Sequence, residues 1–342
     1  DMQYRTPLGT RNDLVTGAAY RFDRETFDGH VGFSLTPATS DISLVTAFLQ
    51  DEVSLFDKRL AVTRGSQVQY DSDAGGGIQP TARAMWNAMP RQRLWAAVSR
   101  ALRTPSLEGR GIRVDFPPTA GPGGLPLFLT TVGNPSAETE TLFETDAGYR
   151  LEIGRVASID VAGFVGRYGR LRTTEVTDTV VEFAPAPQVV VASQFGGLLD
   201  ATTRGLEVSG QWTPVPAWRL DGSYSAFHIT PRLDPASRDA TSAGTDASTP
   251  QAQWQLRSTV SPGTRATLTA AIFHEGALAQ AQVAAYTRAD LNAEWRFTPH
   301  LSVMAIGQNL LDAAHAEFTS ATALVLATQV SRSGSLRLRW TF

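Results

Sequence analysis

Hydrophobic and polar residues alternate along most of the chain with a period of two. In residues 291–297 the apolar residues take the odd positions, and residues 206–212 alternate in the same way with opposite parity. A period of two puts successive side chains on opposite faces of a β-strand. The pattern predicts about fifteen strands, each close to the length that spans a bilayer when tilted. They are expected at 14–23, 41–53, 58–70, 78–88, 92–101, 142–153, 156–168, 202–213, 217–229, 252–261, 264–274, 285–297, 300–309 and 331–342, with a weaker one near 29–36.

The last of these strands shows what the two faces must contact. One face carries Leu336, Leu338, Trp340 and Phe342, and the other carries Arg337, Arg339 and Thr341. A membrane barrel with an apolar outside and a polar inside satisfies both faces. Its lumen would then contain polar strand residues such as Glu207, Gln211, Asn292, Glu294 and Arg296. A soluble β-sandwich also alternates, so alternation alone leaves both folds open.

Short turns and long connections alternate along the C-terminal two-thirds of the chain. Tight turns are predicted near 56–58, 89–91, 153–155, 213–216, 261–264 and 298–300, and longer connections at about 102–141, 170–201, 230–251, 275–284 and 310–330. In an up-and-down meander, this order places every short turn at one end and every long loop at the other. Outer-membrane barrels have that asymmetry, with short periplasmic turns and long extracellular loops. The connections therefore favour a barrel over a sandwich.

The positions of the tryptophans also favour a barrel. Most are predicted near the short-turn ends of their strands, where barrels carry an aromatic girdle: Trp86, Trp95, Trp212, Trp218, Trp295 and Trp340. The alternative is that they fill a sandwich core. Low-complexity stretches at 119–124 and 237–249 fall only in the long connections and predict solvated loops.

Composition excludes several classes of protein. The 30 basic and 33 acidic residues nearly balance, which argues against a nucleic-acid-binding protein. The absence of cysteine excludes disulfide scaffolds and thiolate metal sites. No apolar run is long enough for a transmembrane helix, and the first residues carry no signal-peptide core. We expect either a protein that is not exported or a chain that begins inside a longer one.

Five short motifs resemble, in order, those of the TonB-dependent outer-membrane receptors. Residues 99–106 are similar to the family's strand-to-loop motif, and residues 133–135 are similar to its next landmark. Residues 50–52 precede both, and residues 205–207 and 308–312 follow them. The chain then ends on an aromatic residue like the one such barrels present to their assembly machinery. The positions that carry the resemblance are Arg100, Arg103, Pro105, Asn134, Pro135, Asn309, Leu310, Asp312 and Phe342.

The resemblance implies a fold and a domain organisation. It implies an all-β, antiparallel up-and-down transmembrane β-barrel, of which this chain supplies about 15 of 22 strands. Family members begin with a signal peptide, a TonB box and a globular plug, and none of these can be found here. An open sheet would leave two unpaired edges, which lipid does not tolerate. Residues 1–342 are therefore expected to be the C-terminal portion of a receptor barrel, without its plug domain.

The resemblance also implies a function in the bacterial outer membrane. That function is active uptake of a bulky nutrient, taken to be a ferric siderophore, with cobalamin and oligosaccharides left open. The implied partners are the TonB–ExbB–ExbD complex acting through the N-terminal part, outer-membrane lipids, the barrel assembly machinery acting on the C-terminal strand, and a small-molecule or metal-chelate ligand. No cofactor is implied. A passive porin-like channel is one alternative and an outer-membrane enzyme is another.

Candidate ligand-contacting residues lie in the predicted extracellular loops. Arg110, Arg113, Phe116 and Phe128 form a basic and aromatic group at the start of the longest loop. Arginines with aromatic rings suit an anionic, ring-bearing chelate. Contact with acidic lipid headgroups or with neighbouring loops is the other interpretation. His315, in the last long loop, is a further candidate for contact with an iron chelate.

No residue is predicted to be catalytic or to bind a resident metal. The five histidines have neither helical i, i+4 spacing nor an accompanying carboxylate cluster. Ser225 and His228 are three residues apart and would face opposite sides of a strand, while Tyr224 would share the face of His228. The chain is therefore predicted not to be an enzyme.

Overall fold

The computed structural model describes residues 1–183, 186–318 and 328–342, and its regular structure is almost entirely β-strand. The strands are β1 (Met2–Leu8), β2 (Asn12–Thr26), β3 (Phe33–Leu35), β4 (Thr39–Leu55), β5 (Leu60–Asp71), β6 (Gly75–Met89), β7 (Gln92–Arg103), β8 (Ile112–Asp115), β9 (Thr119–Ala120), β10 (Pro126–Val132), β11 (Glu140–Ile153), β12 (Ala157–Glu182), β13 (Gln188–Val215), β14 (Trp218–Leu233), β15 (Ala252–Val260), β16 (Ala266–Glu275), β17 (Tyr286–Thr298), β18 (Leu301–Gln308), β19 (Ala314–Phe318), β20 (Thr328–Ser331) and β21 (Ser333–Trp340). Helical segments occur in the loops, as α1 (Leu107–Gly111) and the 3-10 turns Pro122–Gly124 and Ser242–Ser248. Within these residues no helix has the length and apolarity needed to cross a membrane.

Fifteen of these strands form one antiparallel meander, which we call the wall. Its order is β1, β2, β4, β5, β6, β7, β11, β12, β13, β14, β15, β16, β17, β18 and β21. Within the described residues β1 pairs only with β2, and β21 pairs only with β18. The predicted up-and-down antiparallel architecture is confirmed.

The strand count agrees with the prediction although two of its members differ. Residues 2–8 form wall strand β1, which the pattern did not predict because the segment is short and contains Pro7. Proline is tolerated there because β1 has a neighbour on one side only. The predicted wall strand near 29–36 is wrong. Only residues 33–35 are extended, and they pair with β8 outside the wall.

Short and long connections separate to opposite ends of the wall, as predicted. One exception is the tight turn of residues 72–74, which joins β5 to β6 at the long-loop end. The predicted connection at 170–201 is also wrong. Strands β12 and β13 continue through most of it as a long hairpin, with register shifts between Tyr168 and Leu171 and between Val176 and Asp178. Bulges of this kind bend a strand and increase its twist, so the hairpin can lean away from the wall.

The two faces of the wall separate by polarity. Leu336, Leu338 and Trp340 pair with apolar or small residues of β18 and stay exposed on the outer face. Asn292, Glu294 and Arg296 lie on the opposite, lumen-facing side of β17, and Glu207 and Gln211 lie on the lumen-facing side of β13. For these residues, the structure places the apolar and polar sets on opposite faces of the wall, as the alternation predicted.

The tryptophans follow the predicted girdle with one correction. Trp86, Trp212, Trp218, Trp295 and Trp340 are on the outer face near the short-turn end. Trp95 instead faces the lumen, opposite Gly148 of β11. A Cβ at Gly148 would lie 2.6 Å from Trp95 Cε2, so the indole occupies the space that glycine leaves. Parity along β7 places Trp95 inside, and position along the chain alone did not reveal this.

Candidate ligand-binding vestibule

Parts of two long connections and the β12–β13 hairpin form a small branch of the main sheet at the long-loop end. Strand β8 pairs antiparallel with β3 and with β10. Strand β10 then pairs in parallel with residues 189–194 of β13. We call β3, β8, β10 and the hairpin beyond residue 170 the loop sheet. It holds the longest connection, residues 104–139, against the extended hairpin.

Motif residues of the longest connection fold it locally. The Ser106 hydroxyl oxygen accepts a hydrogen bond from the Gly109 N–H at 3.1 Å and caps helix α1. The Asn134 N–H donates to the Gly109 carbonyl at 2.9 Å, which ties the second motif to the first. A Cβ at Gly133 would lie 2.6 Å from the Arg110 carbonyl carbon, so only glycine fits. The two landmarks therefore meet in space and shape one loop.

A cavity of about 350 Å³ lies between this loop and the hairpin. We call it the vestibule pocket. Its lining includes Arg103, Pro105, Ser106, Glu138, Glu140, Arg170, Arg172 and Phe195. The Arg103 guanidinium Nε lies 3.1 Å from Glu140 Oε2, and Glu140 Oε1 accepts the Arg172 N–H at 3.1 Å. The Arg170 guanidinium lies 3.5 Å from Glu138 Oε2. Three arginines against two glutamates leave the pocket with an excess positive charge.

Two guanidinium groups of the pocket remain available to a ligand. The Arg172 guanidinium carbon lies 4.8 Å from the centre of the Phe195 ring, in a cation–π arrangement. The Arg103 side chain is 72% exposed in spite of its ion pair, because Glu140 occupies only one edge of the guanidinium. Planar donors beside an aromatic ring can bind an anion that itself carries rings. Of this group only Arg103 stood out in the sequence; Arg172 and Phe195 fell in the segment interpreted as a loop.

A second polar cluster surrounds the predicted candidate His315. Its imidazole stacks on the Tyr286 ring with centroids 4.2 Å apart, and its Nε2 lies 3.1 Å from Glu317 Oε1. Arg288 bridges Glu317 at 3.7 Å and Asp290 at 3.0 Å. The Nδ1 of His315 and the Nε of Arg288 are buried without a hydrogen-bond partner. Tyr286, Arg288 and Asp290 are on the lumen side of β17, and no residue of the cluster lines the vestibule pocket.

The four predicted residues of the longest loop are not brought together as one group. Arg113 and Phe128 lie on the same face of the loop sheet, and Arg113 pairs with Asp115 at 3.0 Å. The hydrogen bond from the Arg113 guanidinium lowers the pKa of Asp115. The Asp115 carboxylate in turn offsets much of the positive charge of Arg113. Phe116 is opposite Leu129, one position out of phase with Phe128. Arg110 belongs to α1, where its NH1 is buried without a partner.

Two carboxylates fasten the loop after β14 to the hairpin. Asp239 is buried and accepts N–H bonds from Thr174 and Thr241, both at 2.7 Å. Glu175 accepts the Arg238 N–H at 2.6 Å. Burial acts to raise the pKa of Asp239, but the hydrogen bonds outweigh burial and lower it well below its usual range. The first residues of the stretch predicted to be a solvated loop are therefore docked.

Motif residues elsewhere have structural contacts. Asn309 is fully buried with a positive φ of 53°, and its side-chain amide donates to the Val330 carbonyl at 3.0 Å. The Leu310 N–H donates to the Ala289 carbonyl at 2.8 Å. The Asp312 carbonyl accepts from the Arg332 guanidinium at 3.2 Å. On the outer face the Arg100 guanidinium donates to the Ile78 carbonyl at 2.6 Å, and Phe342 is fully exposed.

The serine–histidine neighbourhood is arranged as the spacing predicted. Ser225 pairs with Glu207 on the lumen side, whereas His228 pairs with Arg204 on the outer side. The two side chains therefore point away from each other across the sheet. No group of three or more metal-binding side chains occurs in the part of the chain that the structure describes.

The family follows from this architecture and from the sequence. Residues 1–310 match the family described as TonB dependent receptor-like, beta-barrel. The chain belongs to this family. It is accordingly a protein of the bacterial outer membrane.

Solved structures of similar fold include siderophore receptors. A mutant of the ferric enterobactin receptor PfeA from Pseudomonas aeruginosa is 15% identical, with a TM-score of 0.76 over 99% of this chain and 53% of that one. The siderophore receptor PirA from Acinetobacter baumannii is 13% identical, with a TM-score of 0.76 and the same coverage. The outer membrane transporter YddB from Escherichia coli is 11% identical, with a TM-score of 0.68 over 99% of this chain and 53% of that one. The chain thus spans about half the length of these structures. No curated protein matches it in sequence.

Proposed function

We propose that this chain forms the wall and extracellular vestibule of a receptor that takes up an anionic ferric siderophore by TonB-dependent transport. The observation that carries the proposal is the vestibule pocket, which Arg103 and Arg172 line and where the Arg172 guanidinium lies over the Phe195 ring. A ferric catecholate is a planar-ringed anion, and such a ligand matches those donors and that ring. Two of the similar solved structures are siderophore receptors, which supports the same ligand class.

The rest of the transport machinery belongs to the same proposal. Residues 1–342 would be the C-terminal portion of a larger barrel, which is supported by their match to about half of each similar structure. A plug in the lumen would contact polar wall residues such as Glu207 and Asn292, and the TonB–ExbB–ExbD complex would act on that plug. The barrel assembly machinery would recognise the C-terminal strand with Phe342. The chain itself would supply a wall and a binding surface, without a chemical step.

The ligand class can be tested by binding to the full receptor. Ferric enterobactin, a neutral ferric trihydroxamate and cobalamin would be titrated by tryptophan fluorescence against the unaltered receptor and the Arg103→Gln/Arg172→Gln variant. We expect the anionic catecholate to bind tightest and the variant to lose at least about tenfold in affinity, because a charge-assisted hydrogen bond contributes about 1.5–3 kcal/mol.

A matched control separates local from general charge effects. Arg155 lies in the short turn between β11 and β12, at the opposite end of the wall. Arg155→Gln makes the same charge change and should leave the affinity unchanged. Equal binding of the neutral and anionic chelates, or an unaffected double variant, would refute the anionic ligand.

Transport by a passive channel predicts a different result. A porin-like pore would let uncharged sugars swell proteoliposomes and would work in cells without TonB. The proposed receptor should do neither, and its uptake of ferric enterobactin should stop when the TonB gene is deleted. Sugar-driven swelling or TonB-independent uptake would decide for the channel.

A further inference from the structure

A second cavity with arginines in its lining lies at the short-turn end of the wall, on the lumen side of the last strands. Its volume is about 530 Å³, and we call it the mouth pocket. Strands β17, β18 and β21 form it together with the turns at 261–265 and 298–300. Its charged residues and the serine between them are Arg265, Glu294, Arg296, Ser302 and Arg339. The mouth pocket is therefore at the opposite end of the wall from the vestibule pocket.

Strand register places the three arginines of the mouth pocket in one row. Arg296 of β17 and Arg339 of β21 are both paired with Ser302 of β18, which lies between them. On the other side of β17, the Arg296 N–H donates to the Arg265 carbonyl at 2.7 Å. Neighbouring strands are about 4.8 Å apart, so the row from Arg265 to Arg339 spans about 14 Å. The row is therefore wider than a single small anion such as phosphate.

Two of these guanidinium groups are available to a ligand. The Arg296 guanidinium lies 3.3 Å from Glu294 Oε2, and Glu294 is the one carboxylate among the residues of this lining. The side chains of Arg265 and Arg339 are exposed, and neither makes a hydrogen bond or an ion pair in the part of the chain that the structure describes. Three guanidinium groups therefore face one carboxylate, and the mouth pocket has an excess positive charge.

Another cavity, formed mainly by strands β12 to β16, has the opposite charge. Asp160, Glu207 and Glu275 belong to its lining, which contains no arginine or lysine. These carboxylates are on the lumen side of their strands. The sign of the charge along the lumen side therefore reverses between this cavity and the mouth pocket. An anion in the lumen is repelled by the first and attracted by the second, because clefts with one sign of charge concentrate the opposite ion.

We propose that the mouth pocket is a second, weaker subsite for the anionic ligand, occupied as the ligand leaves the lumen at the periplasmic side. This inference rests on the proposed function. Arg265 and Arg339 donate charge-assisted hydrogen bonds to oxygen anions at two ends of a bulky ligand. Glu294 reduces the net attraction, and this suits a site on a transport path, where binding must be weak enough for the ligand to leave.

Chemical labelling of the full receptor in detergent tests whether the pocket binds anions. Phenylglyoxal modifies free guanidinium groups, and peptide mass spectrometry identifies the modified arginines. We expect Arg265 and Arg339 to be modified in the free receptor. Ferric enterobactin or inorganic tripolyphosphate, each added at ten times its dissociation constant, should slow that modification about tenfold. The matched control is Arg155, an exposed arginine in the short turn between β11 and β12, whose modification should not change.

The labelling also distinguishes this proposal from the proposed function. Protection of Arg265 and Arg339 without protection of Arg103 and Arg172 would count against the vestibule pocket and for the mouth pocket. Protection at the vestibule alone would overturn the mouth subsite. Arg265 and Arg339 that are already unreactive in the free receptor would overturn it too, because another part of the receptor would then cover them. Protection by tripolyphosphate but not by ferric enterobactin would overturn the role in ligand exit.

Uptake by cells tests the role in transport. Arg265→Gln/Arg339→Gln should leave the affinity for external ferric enterobactin unchanged and lower the maximal rate of TonB-dependent uptake about tenfold. Arg265→Lys/Arg339→Lys keeps both charges and should restore most of the rate, and Arg155→Gln should have no effect. An unchanged maximal rate in the glutamine variant would refute the proposal. If that variant does not assemble, labelling of the unaltered receptor still decides.

Discussion

The wall and the loop end of this barrel are stabilised in different ways. Along the wall, large apolar side chains such as Leu336 and Trp295 are exposed on one face, and each strand is hydrogen-bonded along most of its length to its neighbours. At the loop end, the large apolar residues Leu35, Val189 and Leu199 are buried, and single carboxylates bind several N–H groups. The contribution of a wall residue to stability therefore depends on which face it occupies. The contribution of a loop residue depends on which atoms it contacts.

This difference has a physical cause. In the bilayer every backbone group must find its partner within the protein, and neighbouring strands provide those partners whatever the side chains are. Lipid then requires only that the outer face be apolar. The loop end lies in water, so segments such as residues 104–139 and 234–251 stay in place only through specific packing and hydrogen bonds.

The largest expected effect concerns the face of the wall. Val208 is outward, four residues from the girdle residue Trp212, and pairs with Val161 and Tyr224. Val208→Lys should destabilise the barrel by about 2–4 kcal/mol, because the ammonium lies near the middle of the bilayer. The measurement is urea unfolding of the receptor in lipid vesicles, followed by tryptophan fluorescence.

The next residue is the control for this prediction. Ser209 faces the lumen opposite Asp160, so Ser209→Lys places the same charge in water beside a carboxylate. Ser209→Lys should therefore leave the free energy of unfolding almost unchanged. Equal destabilisation by both variants would mean that the face does not decide stability.

A smaller effect is expected at the carboxylate that fastens the loop after β14. Asp239→Asn should loosen residues 234–242 by about 1.5–3 kcal/mol, the usual value of a hydrogen bond to a charged group. Because the hydrogen bonds lower the pKa of Asp239, its contribution is complete above its usual pKa of about 3.9 and is lost as pH falls below that. Hydrogen-exchange protection of this loop, measured between neutral and acidic pH, should fall in the unaltered receptor and stay low and flat in the variant.

Asp234 provides the comparison in the same loop. Among the described residues its carboxylate accepts a hydrogen bond only from the nearby Ala236 N–H, at 2.8 Å, and this bond does not reach the hairpin. Asp234→Asn should leave the protection of residues 237–242 intact. A matching loss would show that loop charge, and not docking on Thr174, sets the protection.

Close packing of the two motif loops predicts an effect of similar or smaller size. Gly133→Ala should cost about 1–3 kcal/mol, since the new methyl would meet backbone atoms of Arg110 and Gly111 that cannot move independently. Limited proteolysis of residues 104–139 measures the loosening. Gly109→Ala in α1 has room, with its Cβ 3.5 Å from the Ser106 hydroxyl, and should resist the protease as well as the parent does.

The smallest effect is expected at the helix cap. Ser106→Ala removes the acceptor for the Gly109 N–H and should cost about 1 kcal/mol of local stability. Ser106→Asp keeps an acceptor and should restore the protection. Hydrogen exchange at Gly109 distinguishes the two, and similar exchange rates in both variants would contradict a capping role.

Much of the wall could be predicted from the sequence because one strong period repeats there. The parity of Leu336, Leu338 and Trp340 follows from alternation alone, and so does the lumen position of Asn292, Glu294 and Arg296. The number of wall strands agreed partly by coincidence, because β1 was not predicted and residues 29–36 were counted as a wall strand in its place. The position of Trp95 required its parity along β7 as well as its distance from a turn.

The loop end was predicted only in outline. Residues 170–201 lack a clear period and contain two adjacent glycines, so they were interpreted as a connection, yet most of them pair as a bulged hairpin. The parallel pairing of β10 with β13 joins residues about sixty positions apart, and such a contact cannot be predicted from a local sequence pattern. Arg172 and Phe195 were therefore not predicted as candidate ligand residues. Arg113 was predicted, although it is paired with Asp115 in the structure.

The sequence by itself determined the barrel, the direction of its faces and the family to which the chain belongs. Those properties depend on a period of two and on short motifs, which are local and can be read along the chain. Only the tertiary structure decided which arginine lies over an aromatic ring and which is paired with a carboxylate. Such contacts depend on the register between strands and on the packing of distant loops, and these are set by the whole fold rather than by any one segment.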